Sequence, residues 1–132
     1  GQLYAGGTRM SDHNYKDIYL KSAEAYKNQD VDLMLSYASD DFSWYNIEAD
    51  GPKLLSDTKE KAKMGMQYII NDPNYLSGHV DFAKAFGNIV VVVETDQILK
   101  EGEQVKQRRM SVYQCKDGKL NRCISLPVDE NA

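Results

Sequence analysis

Three pairs of turn-forming residues divide the second half of the chain into stretches of nearly equal length. The pairs are Gly87-Asn88, Glu101-Gly102 and Asp117-Gly118, and each fits the two-residue turn of a β-hairpin. Between them the chain is rich in Val, Ile and Tyr, which favours strands. The spacing predicts strands near residues 76–86, 89–100, 103–116 and 119–126, joined as an antiparallel meander.

The first half of the chain has the periodicity of helices. Asp30 is placed to cap a short second helix, and Asp57 with Glu60 resembles a capping box that opens a third helix, which Pro73 ends. Residues 42–47 are aromatic-rich and predict a short strand. The first helix has one aromatic and small-residue face, formed by Tyr15, Tyr19, Ser22, Ala23 and Tyr26. This order predicts an α+β fold, a cone in which three helices cover the concave face of a strongly curved, mostly antiparallel sheet.

Length and charge limit the domain organisation and the partners. With 132 residues, 42% of them hydrophobic and 27% charged, the chain is expected to form one globular domain, which we place at residues 10–132. Residues 1–9 are interpreted as a cloning remnant or a disordered leader, because Met10 has the character of a natural start. A formal net charge of −4 argues against a basic surface for binding nucleic acid. The longest apolar run, residues 89–93, is too short to cross a membrane.

The two cysteines bear on the compartment and on metal binding. Counting from the Asp117-Gly118 turn places Cys115 and Cys123 on opposite faces of the sheet, where they cannot form a disulfide. Unbridged thiols favour a reducing compartment, and hence the cytoplasm. Because there is no Cys-x-x-Cys spacing and only two His residues are present, we expect no metal site, and we expect no cofactor.

The same turn counting sorts the side chains of the meander between its two faces. The outer face is expected to carry Val80, Phe82, Val91, Val93, Met110, Val112 and Cys123. The inner face is expected to carry His79, Asp81, Ala83, Val90, Val92, Glu94, Asp96, Arg109, Ser111, Tyr113, Ile124 and Leu126. Since an outer face this apolar needs a cover, we expect a homodimer formed through it.

A row of charged residues crosses the expected inner face. Turn counting places Glu94 directly opposite Arg109, with Asp81 opposite Glu94 on the other side and His79 opposite Asp96. Charges in one row are costly to bury unless they are paired, so the row either lines a solvated pocket or holds a structural ion pair. In a pocket, Arg109 is expected to hold an acidic group of the ligand.

Three segments carry a resemblance to a known family. Residues 26–32, 37–42 and 111–120 resemble the nuclear transport factor 2-like superfamily, which includes ketosteroid isomerase, scytalone dehydratase and polyketide cyclases. The resemblance extends over residues 15–127 and is nearest to small uncharacterised bacterial members. It implies the cone-shaped, cystatin-like fold and the dimer that is common among the members.

The resemblance does not extend to the residues that carry ketosteroid isomerase chemistry. That enzyme uses an Asp base, together with a Tyr and a protonated Asp that stabilise an enolate. The matching positions here are Asn46 for the base, Ser22 for the Tyr and Ser111 for the second Asp. Because an amide cannot accept the transferred proton, the orthodox isomerase mechanism is rejected.

The inward-facing residues together describe a small-molecule pocket with aromatic walls. Its expected members are Tyr19, Ser22, Tyr26, Trp44, Asn46, Glu94, Arg109, Ser111 and Tyr113. One interpretation is a protein that binds a small amphipathic molecule. A second is an enzyme of the cyclase, isomerase or dehydratase type with Glu94 as its base, and a third is a dimeric interaction module with a vestigial pocket. A catalytic carboxylate needs to lack a permanent partner, whereas a salt bridge from Glu94 to Arg109 favours binding.

Overall fold

The first half of the chain contains three helices and two strands, and the second half contains strands alone. A computed structural model describes residues 13–131, and the interpretation of residues 1–9 lies outside this range. The elements in chain order are α1 (Tyr15–Lys27), α2 (Val31–Ser36), β1 (Ala38–Glu48), β2 (Gly51–Ser56), α3 (Lys59–Ile70), β3 (Tyr75–Phe86), β4 (Ile89–Lys100), β5 (Glu103–Lys116) and β6 (Lys119–Pro127). None of the helices within residues 13–131 is long and apolar enough to span a membrane.

Side-chain caps define where the short helices begin. Asp30 caps α2 as expected, because its Oδ1 accepts a hydrogen bond from the backbone N–H of Leu33 at 3.0 Å. The cap of α3 is Thr58 rather than Asp57, which corrects the sequence prediction. Thr58 Oγ1 accepts from the N–H of Lys61 at 3.1 Å, while the Asp57 carboxylate forms an exposed ion pair with Lys61 Nζ at 3.0 Å.

The strands form one curved, unclosed sheet in the order β2-β1-β6-β5-β4-β3. Strand β1 is parallel to β6, and the other neighbours are antiparallel. Each of the three hairpins turns where the sequence predicted, and the three helices cover the concave side, so the α+β cone is confirmed. Strand β2 was not predicted, because Gly51 and Pro52 at its start are typical of a loop.

An unpredicted bulge in β3 corrects the expected register of that strand. Asp81 has no direct partner, so Glu94 lies opposite Val80 rather than Asp81, and His79 lies opposite Thr95 rather than Asp96. One extra residue in a strand moves every side chain beyond it to the other face. Val80 therefore lies on the inner side, while His79 and Asp81 lie on the outer side, where the Thr95 hydroxyl donates to the Asp81 carboxylate.

A second bulge, in β6, corrects the position of Cys123. Cys123 pairs with Tyr113, and the outer positions Ile124 and Leu126 pair with Val112 and Met110. Cys123 therefore lies on the inner face and Ile124 and Leu126 on the outer face, the reverse of the expectation.

Both cysteines consequently lie on the inner side of the sheet. Cys115 and Cys123 are buried and unbridged. Cys115 lies opposite Leu120 and Cys123 opposite Tyr113, so the two cysteines are not paired across the strands. The expectation that they lie on opposite faces is wrong.

The core fills the closed end of the cone between the helices and the inner sheet face. Its buried members are Tyr15, Tyr19, Val31, Leu35, Ala38, Phe42, Ala62, Val90, Val92, Cys115, Leu120 and Cys123. The N-terminal end of α1 is tied to the last hairpin, since the backbone N–H of Gly118 donates to Tyr15 Oη at 3.1 Å. The C-terminal end of α1 lies beside the start of β3, where Tyr26 and Tyr75 meet.

Candidate functional site

A cavity of about 590 Å³ lies between the helices and the inner face of the sheet. Eight of the nine side chains predicted for a pocket line it: Tyr19, Ser22, Tyr26, Trp44, Glu94, Arg109, Ser111 and Tyr113. Asn46 does not line it. Asn46 follows Trp44 on a stretch of β1 that pairs without interruption with β6, and it lies beyond the part of the strand that borders the cavity.

One wall of the cavity carries a network of charged and hydroxyl groups centred on Glu94. Arg109 lies directly opposite Glu94, as the sequence predicted, and its Nη2 donates to Glu94 Oε1 at 3.2 Å. The other terminal nitrogen, Nη1, donates to Asp96 Oδ2 at 2.9 Å. The second oxygen of Glu94 accepts a hydrogen bond from the Tyr19 hydroxyl. Both oxygens of Glu94 and both terminal nitrogens of Arg109 therefore have partners.

The burial of this network sets the charge states of its members. The side chains of Glu94 and Asp96 are only 18% and 13% exposed, and that of Arg109 is 37% exposed. Burial raises the pKa of Asp96, although the Arg109 guanidinium opposes the shift. Burial also lowers the pKa of Arg109, but the Glu94 and Asp96 carboxylates more than offset this, so it lies above its usual value. Two carboxylates and one guanidinium give the network a net charge of −1 near neutral pH.

Tyr19 remains a hydrogen-bond donor throughout the physiological range. Burial, and then the negative charge of Glu94, raise the pKa of its hydroxyl far above the ordinary value. Its ring packs against that of Tyr113 with centroids 5.1 Å apart. The Tyr19 hydroxyl therefore donates to Glu94 and holds this side chain in place.

The open end of the cavity is bordered by Tyr26, Tyr75 and Gly78. The rings of Tyr26 and Tyr75 meet edge to face with their centroids 6.2 Å apart, and burial raises the pKa of both hydroxyls. A Cβ atom at Gly78 would lie 2.6 Å from Tyr75 Oη and 3.1 Å from Asp96 Oδ1. Gly78 is thus the residue type that allows β3 to approach these polar groups closely.

The floor of the cavity is polar and almost completely buried. Ser111 and Ser125 are 1% and 2% exposed, and their hydroxyl oxygens are hydrogen-bonded at 2.8 Å. Cys123 Sγ lies 3.6 Å from Ser125 Oγ, and burial raises the pKa of this thiol and of the Tyr113 hydroxyl. These groups are therefore neutral hydrogen-bonding partners rather than nucleophiles.

The apolar part of the lining comes from β1, α2 and α3. It consists of Trp44, Met34, Met66 and Ile70, and Trp44 lies on the sheet, where it pairs with Cys123 of β6. A Cβ atom at Gly65 would lie 3.4 Å from the Trp44 indole, so α3 passes close to the ring. The lining consequently combines charged and hydroxyl groups with aromatic and aliphatic ones.

Sequence reasoning missed four site residues and misplaced two others. Asp96 was expected on the inner face but was not assigned to the pocket, and Tyr75, Cys123 and Ser125 were not assigned to it either. Gly78 could have indicated Tyr75 and Asp96, because a glycine inside a strand often marks the close approach of other groups. His79 and Asp81 were expected on the inner face but lie outside, where the His79 side chain is 73% exposed and 3.8 Å from the Asp81 carboxylate.

The network gives Arg109 a role that the sequence analysis did not state. Its two terminal nitrogens hold Glu94 and Asp96, while the expected contact of Arg109 with an acidic ligand group stays a prediction. Residues 13–131 contain no group of three or more His, Cys, Asp or Glu side chains that could hold a metal ion.

The arrangement of helices and strands matches many solved structures, although no family model and no curated protein sequence matches the chain. An NTF2-like protein of unknown function from Cytophaga hutchinsonii aligns with a TM-score of 0.68 at 12% identity, over 91% of this chain and 95% of its own. A protein from Mesorhizobium loti provisionally named a SnoaL-like polyketide cyclase gives a TM-score of 0.68 at 21% identity, over 85% and 97%. A provisionally named ketosteroid isomerase from Kribbella flavida gives 0.72 at 10% identity, over 89% and 79%. The chain therefore has the nuclear transport factor 2-like fold.

Proposed function

We propose that this protein binds a small, flat, amphipathic molecule in the cavity of its cone. The observation that carries the proposal is the contrast between two parts of the cavity lining. Trp44 and the aliphatic residues offer an apolar surface, while Glu94, Asp96 and Ser111 from the sheet and the hydroxyl of Tyr19 from α1 offer polar groups. A cavity of about 590 Å³ falls within the range of small-molecule sites, which combine apolar walls with a few convergent polar groups.

Binding is better supported than catalysis with Glu94 as a base. A general base must be free to turn toward the substrate, whereas Glu94 is held in place by hydrogen bonds from Arg109 and Tyr19, one to each of its oxygens. Two of the similar structures are named for polyketide cyclase and ketosteroid isomerase activity. The isomerase pattern gains no support here, because Asn46, at the position of the base, does not line the cavity.

A filled or collapsed cavity would have favoured the interaction-module interpretation. The core side chains instead occupy the closed end, and the space between Trp44 and Glu94 stays open. This supports a cavity that receives a molecule from outside.

Trp44 offers a direct test, because it is the one Trp of the chain. The uncharged fluorophore N-phenyl-1-naphthylamine is titrated into the protein at neutral pH. We expect stoichiometric binding with energy transfer from Trp44, since the probe lies against the ring. Ala23→Phe places a ring in the cavity, as Ala23 lines it, and should weaken probe binding at least tenfold, which is about 1.4 kcal/mol.

Lys16→Phe is the matched control, because it adds the same ring to an exposed position of the same helix. It should leave probe binding unchanged, and circular dichroism checks that both variants are folded. If the probe does not bind, or if the two variants bind it equally well, the proposal is wrong.

A further inference from the structure

One oxygen in the cavity wall has an unused capacity to accept a hydrogen bond. Asp96 Oδ2 is bonded to Arg109, whereas no residue in the described range 13–131 donates to Asp96 Oδ1. The side chain is 13% exposed, and Oδ1 is not one of the fully buried atoms, so it keeps contact with solvent in the cavity. The carboxylate is nevertheless partly dehydrated, and a donor on a bound molecule would take the place of water at Oδ1.

The direction of Oδ1 follows from the positions of its neighbours. The site of an absent Cβ at Gly78 lies 3.1 Å from Asp96 Oδ1 and 2.6 Å from Tyr75 Oη. Both atoms therefore lie against the backbone of β3 at Gly78, and all three residues line the cavity. A donor group that enters the cavity beside this point would meet a carboxylate oxygen, with aromatic rings close by.

The charge of the surroundings selects among possible donors. Glu94, Asp96 and Arg109 sum to −1, and the terminal nitrogens of Arg109 are already paired with the carboxylates. A second carboxylate brought by a ligand would face net repulsion, whereas a cation would neutralise the network. Charge-assisted hydrogen bonds to a carboxylate are also stronger than neutral ones.

The geometry points to an amphipathic cation as the occupant: a flat apolar body against Trp44, with a protonated amine hydrogen-bonded to Asp96 Oδ1. The inference rests on the proposed binding function and specifies the chemical class of the bound molecule. It assigns Asp96 as the residue that determines specificity for charge.

A series of ligands with one shape and different charge tests the inference. The series consists of 2-naphthylmethylamine, 2-naphthalenemethanol and 2-naphthoic acid, each competing with bound N-phenyl-1-naphthylamine at neutral pH. We expect the amine to bind roughly 10- to 100-fold more tightly than the alcohol, which is the usual gain of a hydrogen bond to a charged group. The acid should bind more weakly than the alcohol.

Asp96→Asn keeps the size of the side chain and removes its charge. In this variant the preference for the amine over the alcohol should fall to about threefold or less, because the charge-assisted bond is lost. Asp81→Asn makes the same change on the outer face of the sheet and should retain the full preference.

The outcomes separate the two proposals. If the fluorophore binds but the wild-type protein prefers the acid, or does not distinguish the three compounds, the assignment of a cation is wrong and the binding function stands. If Asp96→Asn retains the preference, the assignment to Asp96 is wrong. If the fluorophore itself does not bind, the proposed function fails first.

Discussion

The position of Arg109 between two carboxylates determines the chemical character of the cavity. Its guanidinium holds Glu94 and Asp96 on the same wall and uses both terminal nitrogens to do so. Removing three charged groups from water is expensive, so such a cluster is weak evidence for stability. Its presence in a cavity wall is better explained by what it offers to a bound molecule. The raised pKa of Asp96 has the same origin, because burial disfavours the charged form of its carboxyl group.

Asp96→Asn should change how stability depends on pH. Burial raises the pKa of Asp96 above its ordinary value of 3.8, so the folded state holds this proton more tightly than the unfolded state does. The stabilisation due to Asp96 is therefore fully present below pH 3.8 and is lost as pH rises through the raised value. Asn cannot titrate, so the free energy of unfolding of the variant, minus that of the wild type, should increase from about pH 4 to pH 7.

Urea unfolding of both proteins at pH 4, 5, 6 and 7 measures this difference. Subtracting the two curves removes the contributions of all other titrating groups that the substitution leaves alone. A difference that is constant or decreases over this range would show that burial does not dominate at Asp96.

Residues directly opposite each other across a tight turn could be placed from the sequence, whereas diagonal contacts could not. The pairing of Glu94 with Arg109 follows from counting outward from the turn at Gly102, and the structure shows the same pairing. Asp96 is directly opposite Gln107, so its bond to Arg109 is diagonal and depends on the length and direction of the arginine side chain. Turn counting alone does not provide that information.

At the scale of elements, the end of α1 shows how local backbone chemistry shapes the mouth of the cone. Gln29 adopts a φ of 61°, a left-handed conformation that side chains disfavour. The N–H of Asp30 donates to the carbonyl of Ala25, and the N–H of Gln29 to that of Tyr26, each at 2.9 Å. This is the Schellman pattern, which usually has glycine at the left-handed position.

Gln29→Gly should therefore stabilise the protein. The substitution relieves the strain of the left-handed backbone, and we expect the free energy of unfolding to rise by about 0.5–1 kcal/mol. Glu24→Gly, within the same helix, should lower it by about 1 kcal/mol, because there glycine only adds freedom to the unfolded chain. Chemical denaturation of the three proteins provides the comparison, and a destabilised Gln29→Gly variant would contradict this account.

The elements themselves were largely predictable, and the irregularities within them were not. The turns ending in Gly102 and Gly118 have positive φ at both central residues, the conformation that their sequences favour. The bulge at Asp81 has no marker in its sequence, since each neighbouring residue fits a strand. This bulge nevertheless places His79 outside the cone. One extra residue therefore reverses the predicted side-chain orientation in the first half of β3.

At the scale of the whole molecule, the corrected register gives the outer sheet face a continuous apolar row. Phe82 pairs with Val93, Val93 with Met110, and Met110 with Leu126, so these residues follow one another across β3, β4, β5 and β6. Phe82, Met110 and Leu126 are 49%, 44% and 43% exposed. The bulge in β6 is what brings Leu126 opposite Met110, where unbroken counting from the pair Lys116 and Lys119 would place Ser125. Adjacent exposed apolar residues of this kind mark an interaction surface.

We propose that a second copy of the chain covers this row. A two-fold axis near Met110 would set the row of one protomer against the same row of its partner, as in symmetric dimers. Sedimentation at micromolar concentration should then give about twice the chain mass of 15.0 kDa. Met110→Glu should yield a monomer, because two carboxylates would face each other at the centre of the interface and lose their water.

Met64→Glu is the matched control for this prediction. Met64 is exposed on α3, away from the sheet, with 65% of its surface accessible, so the same change there should leave the dimer intact. Arg109 and Ser111 flank Met110 in β5 but face the cavity, so the monomeric variant should still bind N-phenyl-1-naphthylamine through the inner face. A wild-type protein that sediments as a monomer would exclude the dimer. Equal dissociation by both substitutions would show that the interface lies elsewhere, and loss of probe binding only on dissociation would show that the cavity depends on the partner.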